Sequence, residues 1–169
     1  MFSPVRINHA VLFVADVERS VAFYAEAFGM QMVSQERRGQ ATFLRLPRSG
    51  NHHDLGLFGV GAQSGPKRRG AVGLYHLAWQ VDTIDELLEA RDVLQGVGAL
   101  TGMSSHGATK SVYGTDPDGN AFEIMWMLPR AAWGEMEHTA TVEPIDLIAE
   151  QRRWAGQHTA EDMNFSPER

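Results

Sequence analysis

The chain contains no cysteine, which excludes a disulfide framework, a thiolate metal site and a cysteine nucleophile. No apolar run approaches the roughly 20 residues that a membrane-spanning helix needs. Positive charge is not in excess: 21 acidic against 15 basic side chains leave a formal net charge of −6. That balance removes the electrostatic case for nucleic acid or an anionic membrane as a partner. The opening residues, Met1-Phe-Ser-Pro-Val-Arg6, lack a secretory-signal pattern, so a cytoplasmic location is expected. What is present is ordinary for a globular protein, with 43% hydrophobic and 21% charged residues in a chain of 169. That length holds one domain with a real core, or two small modules that share one. With thiolates absent, any metal must be held by nitrogen and oxygen, and seven histidines are available.

Hydrophobic periodicity organises the chain. Val5 to Val14 reads as a strand interrupted by His9, and Asp16 is placed to cap a helix over 18–28 with Val21, Tyr24, Ala25 and Phe28 on one face. Gly29 ends that helix. Strands are expected at 30–35, 40–46 and 53–60, separated by Arg37-Arg38-Gly39 and by Pro47 to Asn51, before a polar, glycine-rich stretch from Gly61 to Arg69. The order then restarts, with a strand at 74–81, a helix over 82–95 fed by Asp82, and strands at 100–104, 110–114 and 121–127. The pattern is βαβββ twice, an α+β arrangement with module one at 4–60, a linker at 61–72 and module two at 73–128. Residues 129–169 form a C-terminal extension outside the repeat. It is expected to carry one short helix over 144–155, with Pro144 in its first turn and Ile145, Leu147, Ile148 and Trp154 as contacts. The end, Glu161 to Arg169, is expected to fray.

The repeat brings chemistry into view. His9 and His76 each stand five residues before the valine that closes their strand, Val14 and Val81. Lys110 to Trp126 reads as strand, turn, strand, with Asp116-Pro-Asp-Gly-Asn120 as the turn. Glu123 sits inside the second of these apolar strands, where an unpaired carboxylate is costly or forced to protonate. A bound cation would keep it ionised. Two imidazoles and a carboxylate are the facial set for a divalent metal such as Fe(II), which leaves positions open for small molecules. Each residue alone has a plainer reading: a structural histidine, or a glutamate paired with Arg38 or Arg45. Matching histidines in repeat-equivalent slots have no packing reason to match, and that favours the metal.

The doubled βαβββ order, the paired histidines and Asp116 to Asn120 before Glu123 resemble the vicinal oxygen chelate superfamily. This group includes glyoxalase I, extradiol ring-cleavage dioxygenases, epimerases and bleomycin-resistance proteins. The resemblance covers about residues 5–128 and touches the extension at Leu128-Pro-Arg-Ala-Ala-Trp133. It implies curved sheets forming an open, metal-holding barrel, with His9, His76 and Glu123 as ligands to Fe(II), or to Mn(II), Zn(II) or Ni(II). Three further residues resemble extradiol dioxygenases: Tyr113, ten residues before Glu123; His53 in the pair His52-His53; and His106 at the head of His-Gly-Ala-Thr-Lys-Ser-Val-Tyr113. The resemblance implies His53 as the acid–base residue, with Tyr113 and His106 as hydrogen-bonding partners of a developing oxyanion. The substrates it implies are a catechol-like diol and O₂, and the assembly a homodimer. A glyoxalase-like lyase or isomerase is the alternative, and an antibiotic-binding resistance protein is less favoured because all three ligands are kept. Glyoxalase I resembles this chain but takes a fourth ligand, a glutamate, from the first module. The 47-residue step from His76 to Glu123, taken from His9, lands on Gly56. Aligning Gly50-Asn51 on Gly119-Asn120 instead offers Asp54. Phe43, Trp79, Met125 and Trp126 are candidate pocket walls.

Overall fold

The computed structural model describes residues 2–4, 6–36, 39–65, 68, 70 and 72–159. The expectations placed on Arg37, Arg38 and residues 161–169 fall outside these. The chain divides into two compact units, Met1–Arg69 with Asp116–Gly119, and Gly70–Thr115 with Asn120–Arg169. Among the described residues no helix is long and apolar enough to cross a membrane.

The first unit contains β1 (Ala10–Val14), α1 (Val17–Phe28), β2 (Gln31–Glu36), β3 (Ala41–Arg45) and β4 (Leu55–Gly59). The sheet order is β1-β4-β3-β2, with β1 parallel to β4 and the other pairs antiparallel. Helix α1 packs on β3 and β4 and buries Val17, Ser20 and Tyr24, while Leu44, Leu55 and Leu57 are fully buried. Asp16 caps α1 by accepting the Arg19 N–H, and Gly29 closes it in the left-handed region at φ 63°. Strand β1 is shorter than the expected Val5–Val14 because its parallel partner begins only at Leu55, opposite Ala10. His9 therefore precedes the strand and does not sit within it.

The turn at 116–119 belongs to this first unit. Asp118 accepts the Arg19 guanidinium at 2.6 Å, the Ala15 N–H at 3.2 Å and the buried Ser20 hydroxyl at 3.4 Å. Asp116 accepts the Tyr24 hydroxyl at 3.2 Å and the Asp118 N–H at 2.9 Å. Burial first, and then the Asp116 charge, pushes the Tyr24 phenol far above its ordinary range, so it serves as a permanent donor.

The second unit repeats the plan with β5 (His76–Val81), α2 (Ile84–Gly96), β6 (Leu100–Ser105), β7 (Thr109–Thr115) and β8 (Ala121–Met127). Its order is β5-β8-β7-β6, again with one parallel pair. The likeness extends to an irregularity: the β2–β3 pairing slips between Met32 and Ser34, and the β6–β7 pairing between Leu100 and Gly102. Val112, Ile84, Leu87, Leu94 and Trp126 are fully buried.

Two end signals differ from expectation. Helix α2 is capped by Thr83, whose hydroxyl accepts the Glu86 N–H, while the Glu86 carboxylate accepts the Asp82 N–H at 2.9 Å. The threonine stands one residue nearer the helix, and the Asp82 carboxylate holds the extension instead. It accepts from His158 Nδ1 at 2.7 Å and from the Thr159 N–H at 2.9 Å. Helix α3 (Leu147–Trp154) begins after Asp146, whose carboxylate accepts from the N–H groups of Ile148 and Ala149, so Pro144 lies outside it. It packs on α2 and sets the Trp154 ring 6.0 Å from that of Trp126. Trp126 is fully buried and donates to the Asp82 carbonyl, which makes it core and not a pocket wall. Lys110 is buried beneath α3, donating to Ser105 Oγ at 2.8 Å with Glu150 3.8 Å away. Burial lowers its pKa, with the Glu150 charge opposing.

Candidate active site

Strand pairing decides what each module can contribute. In the second unit Ala78 lies opposite Glu123, and Tyr113 pairs with Glu123 across β7–β8. In the first unit the equivalent residues are Val11, Gly56 and Phe43, because Val11 lies opposite Gly56 and Phe43 pairs with Gly56. The tyrosine and carboxylate of one module are thus a phenylalanine and a glycine in the other. Gly56 is a packing residue: a Cβ there would stand 3.3 Å from Val11 and 3.4 Å from the Phe43 ring.

The six candidate residues fall into two groups. His76, Glu123, Tyr113 and His106 form one connected set in the second unit. His76 Nε2 stands 3.0 Å from Glu123 Oε2, and the Tyr113 hydroxyl 3.3 Å from Glu123 Oε1. His106 Nε2 lies 2.6 Å from that hydroxyl, and Ser104 donates to it at 3.2 Å. Glu123 is only 9% exposed, so these partners matter to its energy. The opposite ring nitrogen, His76 Nδ1, is buried with no hydrogen-bond partner among the described residues. Burial first, with the Glu123 charge adding to it, raises the Tyr113 pKa, so the phenol keeps its proton at neutral pH.

His9 and His53 form the other group, in the first unit, with ring centroids 4.4 Å apart. The His9 Nδ1 lies 2.9 Å from the Asn8 amide oxygen, which can only accept, so Nδ1 carries the proton and Nε2 presents a lone pair. A second layer orients this ring. Asn51 joins Asn8 through its amide and donates to Asp54 Oδ1 at 2.7 Å. The other Asp54 oxygen accepts the Leu46 N–H and the Ser49 hydroxyl, both at 2.7 Å. Asp54 is therefore committed to its own loop and acts on His9 at a distance, through Asn51 and Asn8. His53 packs against the Phe43 ring at 5.1 Å, and its pKa is lowered, first by desolvation and then by the neighbouring His9. A neutral imidazole results.

The donors fit a divalent metal on the second unit's side. Two atoms bound at right angles, each ~2.1 Å from one ion, stand ~3.0 Å apart, which is the His76–Glu123 separation of 3.0 Å. Within neither unit, among the described residues, do three histidine or acidic side chains gather around one point. Two participants were not legible in the sequence. Ser104 read only as a strand residue, and the Thr141 carbonyl, 2.6 Å from His106 Nδ1, carries no side-chain signal at all. A shallow depression of about 420 Å³ beside Asp16, Val17, Gly39 and Gln40 touches none of the six residues.

The family model described as the Glyoxalase/Bleomycin resistance protein/Dioxygenase superfamily matches residues 6–124. The chain is 30% identical to Catechol-2,3-dioxygenase of Bacillus subtilis (strain 168) over 86% of its own length and 51% of that protein. The chain spans about half the length of the curated relatives it matches. The crystal structure of Lactoylglutathione lyase from Agrobacterium tumefaciens superposes with a TM-score of 0.55 at 26% identity, covering 73% of this chain and 94% of that one. A glyoxylase/bleomycin resistance protein/dioxygenase domain from Frankia sp. EAN1pec shares the fold, with a TM-score of 0.62 at 23% identity over 74% of this chain and 99% of that one.

Proposed function

The chain belongs to the glyoxalase/bleomycin resistance/dioxygenase superfamily, and from that premise we propose that it is a metal-dependent ring-cleavage dioxygenase of the extradiol type. Its substrates in this reading are a catechol-like aromatic diol and O₂. The ring C–C bond beside the diol breaks and both oxygen atoms are taken up. The observation that carries the reading is Tyr113, paired across strands with Glu123 and hydrogen-bonded to His106. Similarity to a catechol-2,3-dioxygenase supports it.

In this reading His76 and Glu123 hold the metal, with His9 as the third ligand named by the repeat. Fe(II) is the first choice, and Mn(II), Zn(II) or Ni(II) accept the same donors. A bound metal of this kind would bind the diol and O₂ and pass electrons between them. The chain's own residues do the rest. His53, kept neutral by its lowered pKa, takes a proton from a diol hydroxyl and later returns it. Tyr113, kept protonated by its raised pKa, would swing its proton from His106 to substrate oxygen as negative charge grows there. His106 holds the Tyr113 hydroxyl in place. A glyoxalase-like lyase takes a further glutamate from the first module, and Gly56 occupies the position that strand pairing equates with Glu123.

The test is anaerobic purification with Fe(II), metal analysis, and O₂ uptake with a panel of catechols. Stoichiometric iron and uptake, both lost in His76→Ala, are expected. Iron-loaded protein that consumes no O₂ across the panel refutes the dioxygenase, and turnover of a glutathione hemithioacetal would assign the lyase instead.

A further inference from the structure

The C-terminal extension passes beside the active residues of the second unit, and one contact there has a definite consequence. His106 Nδ1 lies 2.6 Å from the Thr141 carbonyl oxygen. A carbonyl can only accept, so Nδ1 carries the ring proton and Nε2 of a neutral His106 is a bare lone pair. Two hydroxyls reach that lone pair, Tyr113 at 2.6 Å and Ser104 at 2.9 Å, and the shorter contact makes Tyr113 the donor to Nε2. A phenol has one proton. Once it points at His106 it cannot also serve Glu123, whose Oε1 is the longer contact at 3.3 Å. Ser104 completes the arrangement by donating to the Tyr113 oxygen at 3.2 Å.

Thr141 is held by a built attachment. Glu143 and Ser105 exchange both backbone hydrogen bonds, at 2.8 and 2.9 Å, as a short antiparallel bridge on the edge of β6. Upstream, Met136 lies against Gly107, where a Cβ would stand 3.2 Å from its sulfur. Downstream, Asp146 caps α3, and Trp154 packs on Trp126.

We propose that the C-terminal extension is a positioning strap: through the Thr141 carbonyl it fixes His106 as the Nδ1–H tautomer and turns the Tyr113 proton away from Glu123. The consequence for the metal rests on the ligand role given to Glu123 above, because the strap keeps the phenol proton off Glu123 Oε1. The tautomer itself does not depend on that reading. The two fail separately.

The experiment is ¹⁵N spectroscopy of the histidine rings in the full chain without added metal, at a pH where imidazoles are neutral. His106→Gln assigns the signal by its disappearance. The wild type is expected to show a protonated Nδ1 and a bare Nε2 at His106. Glu143→Pro deletes the N–H given to Ser105, and the Nδ1–H signature should give way to a mixture or to Nε2–H. A wild-type Nε2–H tautomer overturns the proposal outright, whatever the variants do. A folded Glu143→Pro protein with unchanged ring signals overturns the role of the extension. Should that variant not fold, Asp146→Ala loosens the same strap at the α3 cap and is read against the same two outcomes. A wild type that shows the expected tautomer but, loaded with Fe(II), consumes no O₂ would count against the functional reading and leave the strap standing.

Discussion

Gly114→Ala is the sharpest stability test that this fold offers. A Cβ at Gly114 would lie 2.4 Å from Phe122 Cζ, 2.6 Å from Cε2 and 3.0 Å from the Ala99 carbonyl oxygen. The ring cannot swing out, since Phe122 is 2% exposed. The carbonyl cannot retreat cheaply, because it accepts the Thr115 N–H at 3.1 Å. Overpacking by one methyl costs about 1–3 kcal/mol, and with both neighbours fixed the upper part of that range applies. Replacing a strand glycine returns about 0.5–1 kcal/mol of backbone entropy, which leaves a net loss of roughly 2 kcal/mol. For a chain of this size that corresponds to a fall in Tm of roughly 4–8 °C. The assay is thermal unfolding followed by circular dichroism, extended to Phe122→Leu and the double variant. Phe122→Leu removes the clashing ring edge, so the double variant should exceed the additive expectation by on the order of 1 kcal/mol. Strict additivity, or a Gly114→Ala protein that melts with the wild type, refutes the reasoning.

Asp118→Ala should lower stability by about 1–3 kcal/mol, seen in urea titration. The Arg19 contact contributes least, because that side chain is 49% exposed, and a variant within error of wild type would show that the turn is not anchored this way. Burial lowers the Lys110 pKa, so between its folded value and about 10.4 the unfolded chain binds more proton and stability rises with pH. Tm measured from neutral pH upward should show that rise in the wild type and lose it in Lys110→Met, and equal slopes would contradict it. Chelating the metal from Fe(II)-loaded protein should lower Tm, since a ligand at a hundred times its Kd stabilises by about 2.7 kcal/mol. His76→Ala should show no such response, and a chelator effect that survives this substitution would place the metal elsewhere.

The repeat was legible because hydrophobic period and turn residues are local properties. The β7–turn–β8 hairpin with Tyr113 opposite Glu123 was legible for the same reason. What stayed hidden depends on partners distant in sequence. Nothing near Val5 announces that β1 must wait for Leu55, and Asp82 looks as good a cap as Thr83 until Glu86 chooses between them. Asp54 was an ambiguous ligand in the sequence, and the Leu46, Ser49 and Asn51 donors that occupy it appear only once the loop is closed. Trp126 resembled a pocket wall until Trp154, from beyond the repeat, covered it.

The acidic turn at 116–119 has a consequence for anyone who would cut this protein in two. A gene split in the linker between the modules would encode one fragment with Arg19, Ser20 and Tyr24, and another with Asp116 and Asp118, which accept from them. The first fragment would be left with a buried hydroxyl and a buried phenol lacking these acceptors, and the second with two carboxylates stripped of the Arg19, Ser20 and Tyr24 donors. Neither piece is then self-sufficient. Co-expressed, each supplies what the other lacks, so the pair should behave as a complementing split protein whose reassembly reports on whatever is fused to its ends.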